Sequence, residues 1–115
     1  MREDEPDKLC VIIVADTDAS RLMERLVEHH LPATKIGSTG GFLRRGNVTV
    51  ITGVRDAEVD QVATIVREEC HARKEFVPVQ TLPLIGDGGF SADPVEVRVG
   101  GAIMFVLDIE RFIRT

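Results

Sequence analysis

The sequence predicts a single α+β domain, and three observations carry that prediction. The chain has 115 residues, an unbroken aliphatic run near each end, and two amphipathic helical patterns between the runs. Two independent cores do not fit in this length. The elements read strand, helix, strand, strand, helix, strand, with an extra strand or bend near the end. This is the split β-α-β order of the ferredoxin-like βαββαβ sandwich. Right-handed crossovers then lay both helices on one face of an antiparallel sheet.

Residues 1–7 include Arg2, Glu3, Asp4, Glu5, Pro6 and Asp7, charged and with nothing to bury, and read as a flexible segment ahead of a domain over 8–115. Leu9 to Ala15 is apolar at successive residues and rich in β-branched side chains, which predicts a central strand covered on both faces. Thr17 or Asp18 can cap a first helix whose apolar positions are Leu22, Met23, Leu26 and Val27, ending near His30. Pro32 opens a second strand over Ala33 to Ser38, and Gly40-Gly41 breaks it. Asn47 to Val54 is a third strand with Val48, Val50 and Val54 on one face and Ile51 on the other, joined to the second as a hairpin. Asp56 is a cap for a second helix striped by Val59, Val62, Ala63 and Val66 and running to about Cys70.

From His71 to Pro94 the prolines and glycines allow a short extended piece at best, around Val79 to Leu84, and a connection of this length is commonly functional. Val95, Val97 and Val99 alternate with Glu96 and Arg98, Gly100-Gly101 interrupts, and Ala102 to Leu107 is the second aliphatic run. Ile109 to Phe112 has room for one helical turn. The diglycine reads equally as a close approach of backbone or ligand and as a bulge between two strand pieces. Because both aliphatic runs are apolar on both faces, the sheet face away from the helices needs its own cover. A homo-oligomer packed through that face is the expectation, the fold-back of the long segment the alternative.

Hydrophobic and charged fractions of 43% and 29% exclude wholesale disorder and a membrane-embedded chain. With no Trp or Tyr and five Phe, the core is mainly Val, Ile and Leu. A net charge of −5 gives no general attraction to DNA, RNA or an anionic membrane, while leaving room for one small phosphorylated ligand held locally. Cys10 and Cys70 with His29, His30 and His71 share no chelating spacing, so the sequence predicts no metal site, reduced thiols and a cytoplasmic protein. Ser38, Thr39 and Ser91 have no base nearby in sequence, and nothing marks an enzyme.

The richest local feature is Thr34 to Asn47, which combines hydroxyls, diglycine amides, Arg44, Arg45 and the Phe42-Leu43 pair. Such groups suit phosphate and base, although an ordinary turn with solvated arginines accounts for the same composition. Gly41 to Gly46 has the glycine spacing of a P-loop, but Asn47 and Val48 stand where Lys and Ser or Thr are required. Gly86-Asp87-Gly88-Gly89 likewise fails the dinucleotide fingerprint.

Ala33-Thr34-Lys35, Thr39-Gly40-Gly41-Phe42-Leu43-Arg44-x-Gly46-Asn47, Gly53-Val54, Pro94-Val95-Glu96-Val97, Val99-Gly100-Gly101-Ala102 and Phe105-Val106-Leu107 together resemble the cyclic di-AMP receptors of the PII-like superfamily. The likeness runs from Lys8 to Phe112. It implies a ferredoxin-like, PII-like protomer, a homotrimer, and cyclic di-AMP sites between neighbouring subunits. The ligand-binding positions it implies are Thr34, Gly41, Phe42, Leu43, Asn47, Gly53 and Phe105. Thr34 and loop amides suit phosphate, Asn47 suits a base edge, and Phe42 or Phe105 suits adenine.

Two positions depart from the family pattern. Pro32 stands where many relatives carry a phosphate-assisting arginine, a charge-assisted contact worth roughly 1.5 to 3 kcal/mol, or about tenfold to hundredfold in affinity. Arg114 stands where relatives often place a ligand-contacting glutamine, and Arg44, Arg45 and Arg114 are candidates to compensate. The implied function is a signal-transduction protein that binds cyclic di-AMP without a cofactor and rearranges loops for an unidentified protein partner. The competing classes are a PII-like trimer sensing ATP, ADP or another metabolite, and a structural oligomerisation module.

Overall fold

A computed structural model of the chain describes residues 5–37, 46–77 and 95–115. In order, these form β1 (Lys8–Ala15), α1 (Asp16–Glu28), β2 (Ala33–Ile36), β3 (Asn47–Val54), a 3-10 turn (Asp56–Glu58), α2 (Val59–Cys70), β4 (Arg73–Val77), β5 (Val95–Val99) and β6 (Ala102–Asp108). An antiparallel four-stranded sheet has the order β2-β3-β1-β6, and β4 with β5 makes a separate two-stranded ribbon. Setting the ribbon aside, the topology is the ferredoxin-like one, with β6 as the fourth sheet strand. The ribbon corrects the sequence reading. Arg73–Val77, expected to be part of a connection, is a strand because Val95–Val99 pairs with it; the extended piece expected at Val79 to Leu84 lies outside the described residues.

The two faces of the sheet differ as the aliphatic pattern requires. Cys10, Ile12 and Val14 of β1 and Val50 and Val54 of β3 are buried against Leu22 and Leu26 of α1 and Val62, Ile65 and Val66 of α2. On the other face Leu9, Val11 and Ile13 are flanked across β6 by Leu107, Phe105 and Ile103. Those three β6 side chains are 49%, 52% and 57% exposed. Val27, expected on the buried stripe of α1, is exposed instead.

Local chemistry sets the element ends. α1 starts one residue before Thr17, and neither Thr17 nor Asp18 caps it by a side-chain bond. Asp16 N–H donates to the Gly46 carbonyl instead, which ties the start of α1 to the start of β3. At the other end His30 adopts a left-handed φ of 60°. Its N–H donates to the Val27 carbonyl and that of Leu31 to the Leu26 carbonyl, the paired bonds of a Schellman motif with histidine in glycine's usual place. Asp56 begins a 3-10 turn rather than capping α2; Arg55 N–H donates to Glu58 Oε1 at 2.9 Å. Ile109 to Phe112 forms no helical turn. Asp7 is tied into the domain: its N–H donates to the Val54 carbonyl, its own carbonyl accepts from Ile109 N–H, and its carboxylate accepts from Asp56 N–H.

Candidate functional site

Each described residue that the resemblance assigned to a ligand lies on the helix-free face. Thr34, Ile51, Val11 and Phe105 are register partners in one row across β2, β3, β1 and β6, and Asn47 and Gly53 share the face of Ile51 on β3. Gly41, Phe42 and Leu43 lie outside the described residues, as do Arg44 and Arg45. The face is wide: Thr34 and Phe105 are three strand spacings apart, roughly 14 Å, and Asn47 and Gly53 are separated by roughly 20 Å along β3. Asn47 and Phe105 therefore fall in one cleft and Gly53 in another.

The first cleft, of about 600 Å3, brings Asn47 and Phe105 together with Ile13, Ile103, Arg98 and Gly100-Gly101 at the foot of the ribbon. Among the described residues, Arg98 is its one charged lining residue. A buried ion pair sets this end. Asp18, fully buried at the start of α1, pairs with Arg21 and with Arg73 of β4, whose Nη2 lies 3.2 Å from its Oδ1. A carboxylate can be buried here because two guanidiniums neutralise it. Arg73 passes so close to Gly100 that a Cβ there would lie 2.5 Å from its Nη1 and 2.7 Å from the His71 carbonyl oxygen. Gly100 and Gly101 also have φ of 78° and 83°, so the diglycine is a close approach of backbone that a side chain would block.

The second cleft, of about 460 Å3, lies at the far end of the same sheet and is lined by Gly53, Pro32, Arg55 and Glu58, and by residues from both chain ends, Pro6, Phe112 and Arg114. The buried Thr52 hydroxyl donates to the Pro32 carbonyl at 2.6 Å and fixes the approach to β2. Pro6 packs onto Gly53, where a Cβ would come within 3.2 Å of its ring. Arg114 holds its guanidinium 5.4 Å from the Phe112 ring centroid, a cation-π contact. Thr34, exposed on edge strand β2, lines neither cleft.

Among the described residues, arginines line both clefts in a chain of net charge −5. Among the described residues, Arg55, Arg114 and the carboxylate of Glu58 are the charged groups lining one cleft, and Arg98 is the charged group lining the other. A shallow pocket along α1 has the opposite character, with Glu24 and Glu28. Sequence reasoning missed Arg55, Arg98 and His30, because nothing local to them signals that the fold gathers them on the sheet's rims. The alternation around Arg98 and the diglycine after it were the available cue.

Among the described residues, no cluster of three His, Cys, Asp or Glu could hold a metal ion, and no helix is long and apolar enough to cross a membrane. Cys10 and Cys70 are free and buried. Burial pushes the Cys10 thiol up, and burial followed by the Asp18 and Glu69 charges pushes Cys70 up to about 11. Both are packing groups rather than nucleophiles at neutral pH.

The described residues define the class of protein: an antiparallel α+β sandwich of ferredoxin-like topology, with apolar β6 side chains exposed on the face away from the helices. The chain belongs to the cyclic-di-AMP receptor family, whose model matches residues 7–115. A crystal structure of a protein from Pediococcus pentosaceus ATCC 25745, described as functionally unknown, is 33% identical to it. The match covers 96% of this chain and 99% of the other, with a TM-score of 0.74.

Proposed function

We propose that this protein is a PII-like signal-transduction receptor that binds cyclic di-AMP between subunits of a homotrimer and passes the binding event to a protein partner through its loops, without turning the ligand over. The observation that carries this reading is the distribution of the ligand positions. Among the described residues, Asn47 and Phe105 line one cleft and Gly53 another at opposite ends of a sheet face whose β6 apolar side chains are exposed, and Thr34 lies on the same face outside both. One ligand does not reach both ends on one copy; neighbouring copies packed through that face bring one end of each together. Covering the face also removes an apolar patch that a soluble monomer avoids.

The chemistry matches a cyclic dinucleotide. Guanidiniums at the clefts suit its phosphates, Asn47 offers both a donor and acceptors to a base edge, and the exposed Phe105 offers a ring to stack on adenine. Family membership supports the same ligand. Coupling between binding and signalling follows if ligand contacts favour one arrangement of the segments that join β2 to β3 and β4 to β5. Isothermal titration with cyclic di-AMP, cyclic di-GMP, ATP and ADP tests the reading. Saturable binding of about one cyclic di-AMP per protomer supports it. A preference for ATP or ADP supports a nucleotide-sensing trimer instead, and silence toward all four leaves an oligomerisation module.

A further inference from the structure

We propose that the first turn of α1 is a junction that couples the β4–β5 ribbon to the β2–β3 hairpin, so that loosening one element loosens the other. The coupling is a property of the protein's own contacts and holds whichever ligand the clefts take, so its test needs none. Two residues of that turn carry it, Asp16 toward the hairpin and Asp18 toward the ribbon.

Asp18 is fully buried, and both strands of the ribbon meet it at their roots. Arg73, the first residue of β4, grips the carboxylate at two points, with Nη2 3.2 Å from Oδ1 and Nη1 3.4 Å from Oδ2. Such a fork fixes direction as well as distance. Gly100, which follows β5, runs against the same groups: a Cβ there would lie 3.3 Å from Asp18 Oδ2 and 2.5 Å from Arg73 Nη1. Arg73 and Val99 are register partners, so the two strands are held at one level. Moving the root of the ribbon away from α1 strips a buried carboxylate of a partner, which a low-dielectric site penalises heavily.

Asp16 holds the hairpin by both of its strands. Its N–H donates to the Gly46 carbonyl at 2.7 Å, where the chain enters β3, and its carboxylate lies 3.2 Å from Lys35 Nζ on β2. The ion pair is exposed and weak alone, so the backbone bond is the firmer tie. What makes the contacts of Asp16 and Asp18 interdependent is the cap that α1 lacks. Ala15, at the N-cap, offers no side-chain bond to the orphan N–H groups of the first turn. That turn takes its order from partners brought by the hairpin and by the ribbon, with only Thr17 between the two anchors. Arg21, one turn on, pairs with Asp18 and with Glu69 of α2, which ties the junction to the helix layer. A turn that frays releases both elements at once, and by reciprocity whatever steadies one steadies the other.

Residue-resolved hydrogen exchange on the full chain compares the wild type with Arg73→Gln and Arg73→Lys. It reads the amides of Asp16, of the ribbon strand from Arg73 to Val77, and of Ile12 in β1 as the core reference. Arg73→Gln is expected to speed exchange in the ribbon and, relative to Ile12, to speed Asp16 by roughly tenfold, within the span usual for coupled sites. Arg73→Lys keeps the charge without the two-point grip and is expected to fall between the wild type and Arg73→Gln. The inference is overturned if the ribbon loosens while Asp16 keeps its wild-type rate relative to Ile12, if Asp16 and Ile12 accelerate equally, or if neither variant changes the ribbon. None of these outcomes bears on whether the chain binds cyclic di-AMP.

Discussion

Substituting Ile103→Lys separates the sheet's inner face from its outer one. Ile103, Phe105 and Leu107 are 57%, 52% and 49% exposed in the protomer, side by side in alternation along β6. Full burial of such a side chain contributes about 1.5–3 kcal/mol, so covering the exposed half of each contributes about 1 kcal/mol, or about 3 kcal/mol per protomer from these three alone. A lysine at 103 forfeits its share. It also forces an ammonium into the covered face, where an unpaired desolvated charge costs several kcal/mol, repeated at each copy in a symmetric assembly. The protomer itself loses little, within about 1 kcal/mol, because Ile103 is already mostly in solvent. Light scattering after gel filtration, with urea denaturation of the same samples, is the assay. The wild type is expected as a trimer at micromolar concentration and the variant as a folded monomer. A monomeric wild type, or a variant that remains trimeric, refutes the reasoning.

Five further outcomes are expected. Asp18→Ala leaves Arg21 and Arg73 without their shared carboxylate and costs roughly 3 kcal/mol, the low end for breaking a buried pair because both guanidiniums reach solvent; Gly100→Ala, at φ 78° and against Arg73, costs about 2 kcal/mol, and urea midpoints report both. Cys70 holds its proton to about pH 11 when folded but only to about 9 when unfolded, so the native state binds more protons in that window and stability falls as pH rises from 9 to 11. At pH 8 a thiol reagent should leave both cysteines unlabelled until denaturant is added; rapid native labelling contradicts their burial. Asn47→Ala should weaken cyclic di-AMP binding about tenfold with the trimer intact, and an unchanged titration removes Asn47 from the site.

Much of this architecture was legible in the residues because periodicity reports burial directly. The aliphatic runs at Leu9 to Ala15 and Ala102 to Leu107 gave adjacent central and edge strands, and the Leu22 and Val62 stripes gave two helices on one face. The open face followed from the same pattern, since successive apolar residues in a strand cannot all point to one core. β4 was not legible. Arg73–Val77 carries four charged or aromatic residues in a row and owes its strand to pairing with β5, a long-range contact that local propensity does not encode. Caps failed for a similar reason: Asp16 and Arg55 are held by backbone and side-chain partners brought by the fold, where the sequence offered Thr17, Asp18 and Asp56. The ligand positions came from family resemblance. The separation of Asn47 and Phe105 from Gly53, and the meeting of Pro32 with Arg114, came from three-dimensional proximity alone.

The central claim is that two rims of one sheet face, on neighbouring copies, close around a cyclic dinucleotide. Its most direct test is the stoichiometry and specificity of cyclic di-AMP binding measured by calorimetry on the intact oligomer. Three equivalent sites per trimer, with cyclic di-GMP and ATP failing to compete, is the predicted result. Absence of heat with cyclic di-AMP, or equal binding by a stable monomer, contradicts it.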